Sequence, residues 1–526
     1  MKFVSVSEMI AIEKEANSLG LTYEIMMENA GRGLAEVIME EYPTHNTAGV
    51  LGLVGSGNNG GDTLVSLKYL SDQNWHTIAY IVGQRDQQDQ LIIDLEKSGG
   101  DIHWMDTDAN FHILDNLLES SGILVDGLLG TGIKLPLRGR IDQILVHIQE
   151  VLTSLKSPPI IIAVDCPSGM DCDTGEIALY ALNADLTVTM AAIKRGLFAF
   201  PAYNHIGDLH LVGIGLPEEG NALKSWKAVK TFIPDREWVS NSIPDRPANS
   251  HKGTFGTALI IAGSINYTGA ALLAGEAAYR IGAGLVTMAI PELLHSSLAG
   301  HLSEATWLPL PHEGGVISEC SSDIAQREID RSTALLIGPG LGLEKTTSTF
   351  IENLFRKNEN LKLHPPTVID AEGIKHLKKI SEWHQMIPAG SILTPHPGEM
   401  SVLTGLSTSD IQSDRVDIAM KYSKLWGHVV VLKGAFTVVA SPDGQTAVIP
   451  IATPALARAG TGDVLAGFIV GLLAQGLSPF VSALSGAWIH AQAGILAREL
   501  MGNSASVLAG DVISAAIDVL TDLDHS

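Results

Sequence analysis

Cysteine and basic charge are scarce in this chain, and no uninterrupted apolar stretch is long. Only Cys166, Cys172 and Cys320 occur in 526 residues, and Cys166 and Cys172 have no metal-site partners at the usual spacings. So few thiols, in odd number, fit reduced cysteines of a cytoplasm and not a disulfide framework or a zinc site. Basic residues number 34 against 58 acidic ones, a formal charge of -24. That balance excludes a nucleic-acid-binding surface, which needs clustered lysine and arginine. The longest apolar run, 464–474, is too short and glycine-rich to span a bilayer. Glu8, Glu13 and Glu15 argue against a signal peptide. A soluble cytoplasmic protein with no nucleic-acid or membrane partner is expected.

Hydrophobic residues make up 45% of the chain and charged ones 17%, a globular composition. Its length predicts about two to four domains. Ser5 to Glu8 reads as a capping box, followed by an amphipathic helix with Met9, Ile12 and Ala16 on one face. A second amphipathic segment runs over 23–41. Strand-like runs follow at 50–54, 76–82, 122–125, 160–164, 186–190 and 208–212, with helical stretches between most of them. After a loosened, proline-containing stretch at 216–240, a second series begins at 258–262, 285–290, 334–337, 367–370, 391–394, 428–432 and 436–440. Alternating β and α units predict α/β domains with mostly parallel, doubly wound sheets.

Two glycine-rich loops punctuate the two series. Gly55, Gly57 and Gly60 satisfy G-x-G-x-x-G after the run 50–54, with the following helix expected at 62–70. Glycines there let backbone amides approach an anion, and a helix N-terminus adds its dipole. Asn58, Asn59 and Gly61 depart from the usual dinucleotide turn, and a tight turn held by Asx hydrogen bonds fits the same residues. Asp126 and the segment Asp165-Cys166-Pro167-Ser168 each follow a further strand. Ligands of open parallel sheets bind at the carboxyl ends of strands, so Asn59, Asp126, Asp165 and Ser168 are expected in one crevice. Their oxygens are hard donors suited to a group 1 or 2 cation, while each alone also fits a helix N-cap.

The run Asn58 to Asp62, Asp126 with Gly130-Thr131-Gly132, Asp165 to Gly169 and Met26 to Gly31 resemble the NAD(P)H-hydrate epimerase family over roughly 1–215. The resemblance implies a Rossmann-like domain over 1–220 that binds hydrated NADH or NADPH and interconverts its R and S forms. It implies potassium on Asn59, Asp126 and Ser168. It places substrate against Asn58, Asn59, Gly60, Gly61 and Asp62, and against Gly130, Thr131, Gly132, Ile133, Lys134, Leu135 and Pro136. Asp165 then binds substrate and is the catalytic acid–base group for opening and reclosing at the carbon bearing the hydroxyl. Lys194 is a second candidate, with a solvated surface lysine as the plain alternative. Thr63 stands where the family usually has a glycine, narrowing the loop but leaving its polar groups intact.

The second loop, Ala459-Gly460-Thr461-Gly462-Asp463, opens an apolar helix expected at 462–475. Free amides at a helix N-terminus suit a transferring phosphoryl group, and Asp463 is placed to take a proton from an attacking hydroxyl. A simple N-terminal cap fits the same residues. Gly338 to Gly342, the His396 loop between Pro395 and Pro397, and Lys433 each follow a strand of the second series. Together with His251 to Gly256, Gly263-Ser264, Gly269-Ala270 and Gly282 to Val286, they resemble the ADP- or ATP-dependent NAD(P)H-hydrate dehydratase family over roughly 240–522.

This second resemblance implies a ribokinase-like domain over 235–524. Substrate would lie against Ala270, Gly340, His396 and Asp463, and nucleotide against Lys433, Gly434, Ala435, Phe436, Thr437 and Gly462. Asp463 is the implied base for phosphorylating the hydrate's hydroxyl, after which loss of phosphate restores the dihydronicotinamide. Magnesium is expected with ADP (or ATP) as co-substrate, Glu399 as an indirect contributor, and a homo-oligomer as the assembly. The competing reading is a ribokinase-like small-molecule kinase with an N-terminal nucleotide-binding module, which predicts a stable phosphorylated product. A third, an N-terminal half that is only a scaffold, fits poorly with Asp126, Asp165 and Ser168.

Overall fold

Strands that are buried on both faces read in sequence as continuous apolar runs. Such runs build the sheets of two compact units, Met1–Lys230 and Thr231–Ser526, in a computed structural model that describes residues 1–217, 223–356 and 364–524. The strands of the first unit are β1 Val50–Val54, β2 Thr77–Ile81, β3 Asp101–Trp104, β4 Ile123–Gly127, β5 Ile160–Val164, β6 Leu186–Met190 and β7 Asp208–Val212. All pair in parallel, in the order β3-β2-β1-β4-β5-β6-β7. This is the doubly wound Rossmann-like order, whose switch point lies between β1 and β4. Ligands bind at such a point, and the first glycine loop leaves β1 there while Asp126 ends β4. Helices cover both sheet faces and bury two apolar clusters, one around Leu34, Val54 and Leu67, the other around Leu53, Tyr80 and Ile148.

Strand β3, with its partly exposed side chains, has no sequence signature of this kind. The helix after β1 begins at Asn58 and not at Asp62, running over Asn58–Asp72. Asn58 to Asp62 are therefore the first turns of a helix rather than a preceding loop. The capping box at Ser5 is present, with Glu8 N–H donating to Ser5 Oγ and Ser5 N–H to Glu8 Oε2. The expected linker is largely built into the units. Glu15 accepts from the backbone of Lys224 and Ser225, and Leu223 and Val229 are buried, which ties 223–229 to the first unit. The part of that stretch at 218–222 lies outside the described residues.

In the second unit, β8 Thr231–Phe232, β9 Thr257–Ile261, β10 Leu285–Pro291, β11 Thr306–Leu310, β12 Ala334–Ile337, β13 Thr367–Ile369, β14 Ile392–Leu393, β15 Val429–Leu432, β16 Val438–Ala440 and β17 Thr446–Val448 form one sheet. Its order is β8-β17-β16-β15-β14-β13-β12-β9-β10-β11. The pairs of β16 with β15 and with β17 are antiparallel, and the rest are parallel. The chain reverses its direction across the sheet between β9 and β12, again leaving a crevice at the carboxyl edge. Helices Thr268–Arg280, Thr461–Ala474, Pro479–Met501 and Ala509–Leu523 supply most of the unit's largest apolar cluster. Among the described residues, Pro479–Met501 is long and apolar enough by length and composition to cross a membrane, but 72% of that window is buried within the protein. Its apolarity is that of a core helix.

Candidate active sites

In the first unit a cavity of about 950 Å³ opens at the switch point. Helix Asn58–Asp72 gives it Asn58, Asn59 and Asp62, the segment after β4 gives Gly130 to Pro136, and β5 gives Asp165 at its end. Gly60 and Gly61 belong to the same helical turn, and Gly60 packs on the preceding loop. A Cβ at Gly60 would lie 2.2 Å from Gly55 O, and one at Gly55 would lie 1.9 Å from Leu128 O. Backbone against backbone leaves nothing to yield, so these glycines set the width of the crevice. Gly60→Ala is expected to destabilise the first unit by about 1–3 kcal/mol, measurable as a lowered first transition in thermal melting. Thr63 turns its hydroxyl inward to donate to Asn59 O at 2.7 Å, leaving the loop's polar groups where they are.

Asp165 stands on a strained backbone, with φ 66 at the end of β5. Its Oδ1 accepts from Thr189 Oγ1 and Met190 N–H, both at 3.0 Å, and from Lys194 Nζ. Oδ2 has no such partner among the described residues and is left for the cavity. Lys194 is not the solvated surface lysine of the plain alternative. It is 1% exposed, forms an ion pair with Asp165 and donates to Met190 O at 2.8 Å. Its place on the edge of a two-residue bridge, Ile193–Lys194 pairing with Phe3–Val4, holds it under the cavity. Sequence reasoning gave no site role to Glu13. It lines the cavity from helix Val6–Ser18, and burial pushes its carboxyl above the ordinary range, with Lys194 opposing and Asp165 adding. The signal was present: Met9, Ile12, Glu13 and Ala16 occupy one helical stripe, and a carboxylate does not belong on an apolar stripe.

Asn59, Asp126 and Ser168 also come together. Ser168 donates its hydroxyl to Asp126 Oδ1 at 2.5 Å and its N–H to Oδ2 at 2.8 Å. Leu129 N–H donates to Ser168 Oγ, and Asn59 Nδ2 reaches Leu129 O at 3.2 Å and Val164 O at 2.5 Å. Asp126 is wholly buried, and burial pushes its carboxyl up against the hydrogen bonds from Ser168 and Leu128. Among the described residues no lysine or arginine forms an ion pair with it. A hard oxygen donor set around a buried carboxylate without a basic partner has the chemistry of a group 1 or 2 cation site.

In the second unit, the carboxyl edges of neighbouring strands bring together residues from four segments. Gly462 and Asp463 lie in the first turn of helix Thr461–Ala474, whose cap Gly460 has φ 91. Lys433, after β15, is near them: a Cβ at Gly462 would be 3.5 Å from Lys433 Nζ. Lys433 also pairs with Asp370 at 2.7 Å and lies 3.8 Å from Glu399. Burial opposes its charge, but Asp370 and Glu399 prevail and raise its pKa. Asp463 is pushed up to about 7 by burial, then by Asp370, with Lys433 opposing and Glu372 and Glu399 adding.

The remaining predicted residues fall around this cluster. Gly340, at φ 66, approaches Ala270 so closely that a Cβ would stand 2.9 Å from that of Ala270. Gly340 N–H donates to Glu372 Oε2 at 3.2 Å. His396 caps helix Pro397–Thr404: its Nδ1 accepts from Gly398 N–H at 3.0 Å, while its own N–H donates to Glu399 Oε2. Half of the His396 side chain stays exposed beside Glu399. Gly434 to Thr437 form the turn into β16, closed by Thr437 Oγ1 donating to Gly434 O at 2.9 Å. Asp370 and Glu372 had no role in the sequence reading, although an aspartate at a strand end was signal enough at Asp126 and Asp165. Among the described residues, no group of three or more His, Cys, Asp or Glu side chains is arranged to hold a metal ion.

Residues 258–517 match the family model described as NAD(P)H-hydrate dehydratase, and residues 23–196 match that of the YjeF-related protein N-terminus. Relatives of similar length share both halves. The bifunctional NAD(P)H-hydrate repair enzyme Nnr of Moorella thermoacetica is 33% identical, over 100% of this chain and 98% of its own. That of Salinibacter ruber is 35% identical, over 88% and 86%, and that of Escherichia coli 32%, over 98% and 93%. With two catalytic carboxylate candidates on two α/β units and matches along its whole length, the chain belongs to the bifunctional NAD(P)H-hydrate repair enzyme family.

Proposed function

We propose that the first unit interconverts the R and S hydrates of NADH and NADPH, and that the second dehydrates the S form at the expense of ADP. The observation that carries this reading is a carboxylate at the carboxyl edge of each sheet, in surroundings suited to proton transfer. Asp165 has one oxygen pinned by three donors and the other free toward a cavity of about 950 Å³. Asp463 stands at a helix N-terminus beside Lys433, with a pKa near neutrality. Such a group is ionised enough to accept a proton and basic enough to hold it. In the first step it takes the proton of the hydrate's hydroxyl as that oxygen attacks the terminal phosphoryl group. Loss of phosphate, with loss of a proton from the neighbouring ring carbon whose C–H electrons form the double bond, then restores the dihydronicotinamide. Free amides of the helix's first turn, with Lys433, favour the anionic phosphoryl group in passage.

Asn59, Asp126 and Ser168 would hold potassium in the first unit. When bound, the ion supplies the positive charge that the buried Asp126 otherwise lacks and fixes the segment after β4 against helix Asn58–Asp72. Potassium chloride is expected to raise the first thermal transition above its value in equimolar sodium chloride, and Asp126→Ala to abolish the difference. Magnesium enters with the nucleotide's phosphates. A homo-oligomer is the proposed assembly, tested by light scattering of the full chain.

The deciding experiment incubates the full chain with mixed R and S hydrates and ADP or ATP in turn, following recovery of dihydronicotinamide absorbance. Recovery of both epimers supports the reading. Nucleotide turnover with accumulation of a phosphorylated product and no recovered cofactor would favour a small-molecule kinase instead.

A further inference from the structure

Asp62 lines the same cavity as Asp165 and Lys194, yet its surroundings are opposite to theirs. It is only 7% exposed, and among the described residues its side-chain oxygens accept no hydrogen bond and form no ion pair. Asp165 has three donors on one oxygen, a set that fits a carboxylate. A buried carboxyl without donors is most stable as the neutral acid. The charged groups that face Asp62 point the same way. Burial pushes its carboxyl well above the ordinary range, and Asp165 and Glu13 add to this. Lys194 and Arg85 oppose it, but Lys194 is committed to Asp165. Arg85 is committed to Gly55 O at 2.8 Å, Gly57 O at 2.9 Å and Asp89 at 2.6 Å.

We propose that Asp62 is the general acid of the epimerisation and Asp165 its general base. The inference rests on the epimerase reading of the first unit and divides the labour within it. Asp62 gives its proton to the substrate hydroxyl. The carbon–oxygen bond breaks with its electron pair leaving on oxygen as water, and the ring nitrogen's lone pair forms a carbon–nitrogen double bond, giving an iminium ion. Water then adds to the other face of that carbon. The carbon–nitrogen π electrons return to nitrogen, and the proton lost by the attacking water passes to Asp165 Oδ2. Asp62 is left ionised and Asp165 protonated, the arrangement required for the reverse direction. Transfer of one proton from Asp165 to Asp62 restores the starting state.

The test uses the full chain and the R hydrate of NADH. R-to-S conversion is measured by chromatographic separation above the uncatalysed background, from neutral to alkaline pH, and hydrate binding by calorimetry. Asp62→Asn is expected to lower the rate at least about 100-fold with Kd changed less than about threefold. The wild-type rate should fall about tenfold per pH unit on its alkaline limb, as the acid ionises. That limb should vanish from the residual activity of Asp62→Asn and return in Asp62→Glu, which keeps an acid and also controls for folding. A variant rate within about threefold of wild type, an alkaline limb unchanged in Asp62→Asn, or a Kd weakened as much as the rate would each overturn the proposal while wild-type turnover keeps the epimerase reading. A wild-type protein that does not interconvert the hydrates removes that reading and the acid's role with it.

Discussion

Asp463→Asn is expected to lower nucleotide-dependent dehydration of the S hydrate by about 10³–10⁴-fold, the upper part of the range for a positioned base. R–S interconversion in the first unit should continue at the wild-type rate. The large effect follows from how the residue is held. Asp463 is fixed in the first turn of a helix whose other side chains are almost all buried, so the helix itself offers no second base. Its pKa near 7 comes from burial first, then from Asp370, while Lys433 opposes. The base acts in its ionised form, so kcat/KM for dehydration should rise with pH through about 7 and level off above it. On the acid side the rate should fall about tenfold per pH unit. Asp463→Asn should flatten that limb as well as lowering the rate. An assay coupled to dihydronicotinamide absorbance over this range checks both. A retained acid limb in the variant would assign the titration to another group of the cluster.

The strands that sequence patterning located best are those packed on both faces. Ile160–Val164 and Ala334–Ile337 coincide with apolar runs because both faces are packed, and Leu186–Met190 departs from one only at the buried, hydrogen-bonded Thr187 and Thr189. Asp101–Trp104 and Thr306–Leu310 escaped notice because they lie at sheet edges, where half-exposed positions admit charge and proline. The same division runs through the sites. Asp126, Asp165, His396 and Lys433 were legible because each stands in or just after the carboxyl end of a strand, and strand ends share an edge. Glu13, Asp370 and the burial of Lys194 were not, because each depends on which distant segment packs against it. Lys194 reads as a solvated lysine until Phe3–Val4 pairs beside it and Asp165 closes over it. Asp62 was visible as a motif residue, but its lack of donors is a property of the folded cavity alone.

Lys194→Met is expected to destabilise the first unit by about 3–5 kcal/mol, the usual cost of leaving one half of a buried ion pair. For a unit of this size that is a fall of roughly 6–20 °C in its thermal transition. Asp165→Asn should also destabilise, because it strands a lysine that is 1% exposed. The double variant, with a neutral amide opposite an apolar side chain, should recover much of the stability lost by either single change. R–S interconversion should behave differently. Asp165→Asn removes the oxygen that faces the cavity, and Lys194→Met removes the ammonium that pairs with Asp165 and fixes its Oδ1. Both should cost at least about 100-fold, and the double variant should recover none of it. Thermal melting and the R-to-S assay on the three variants therefore separate two roles of one contact. Recovery of stability without recovery of rate makes the pair a catalytic element that the fold tolerates. Recovery of both would make it a structural pair near the substrate, and the general base would have to be sought at Glu13.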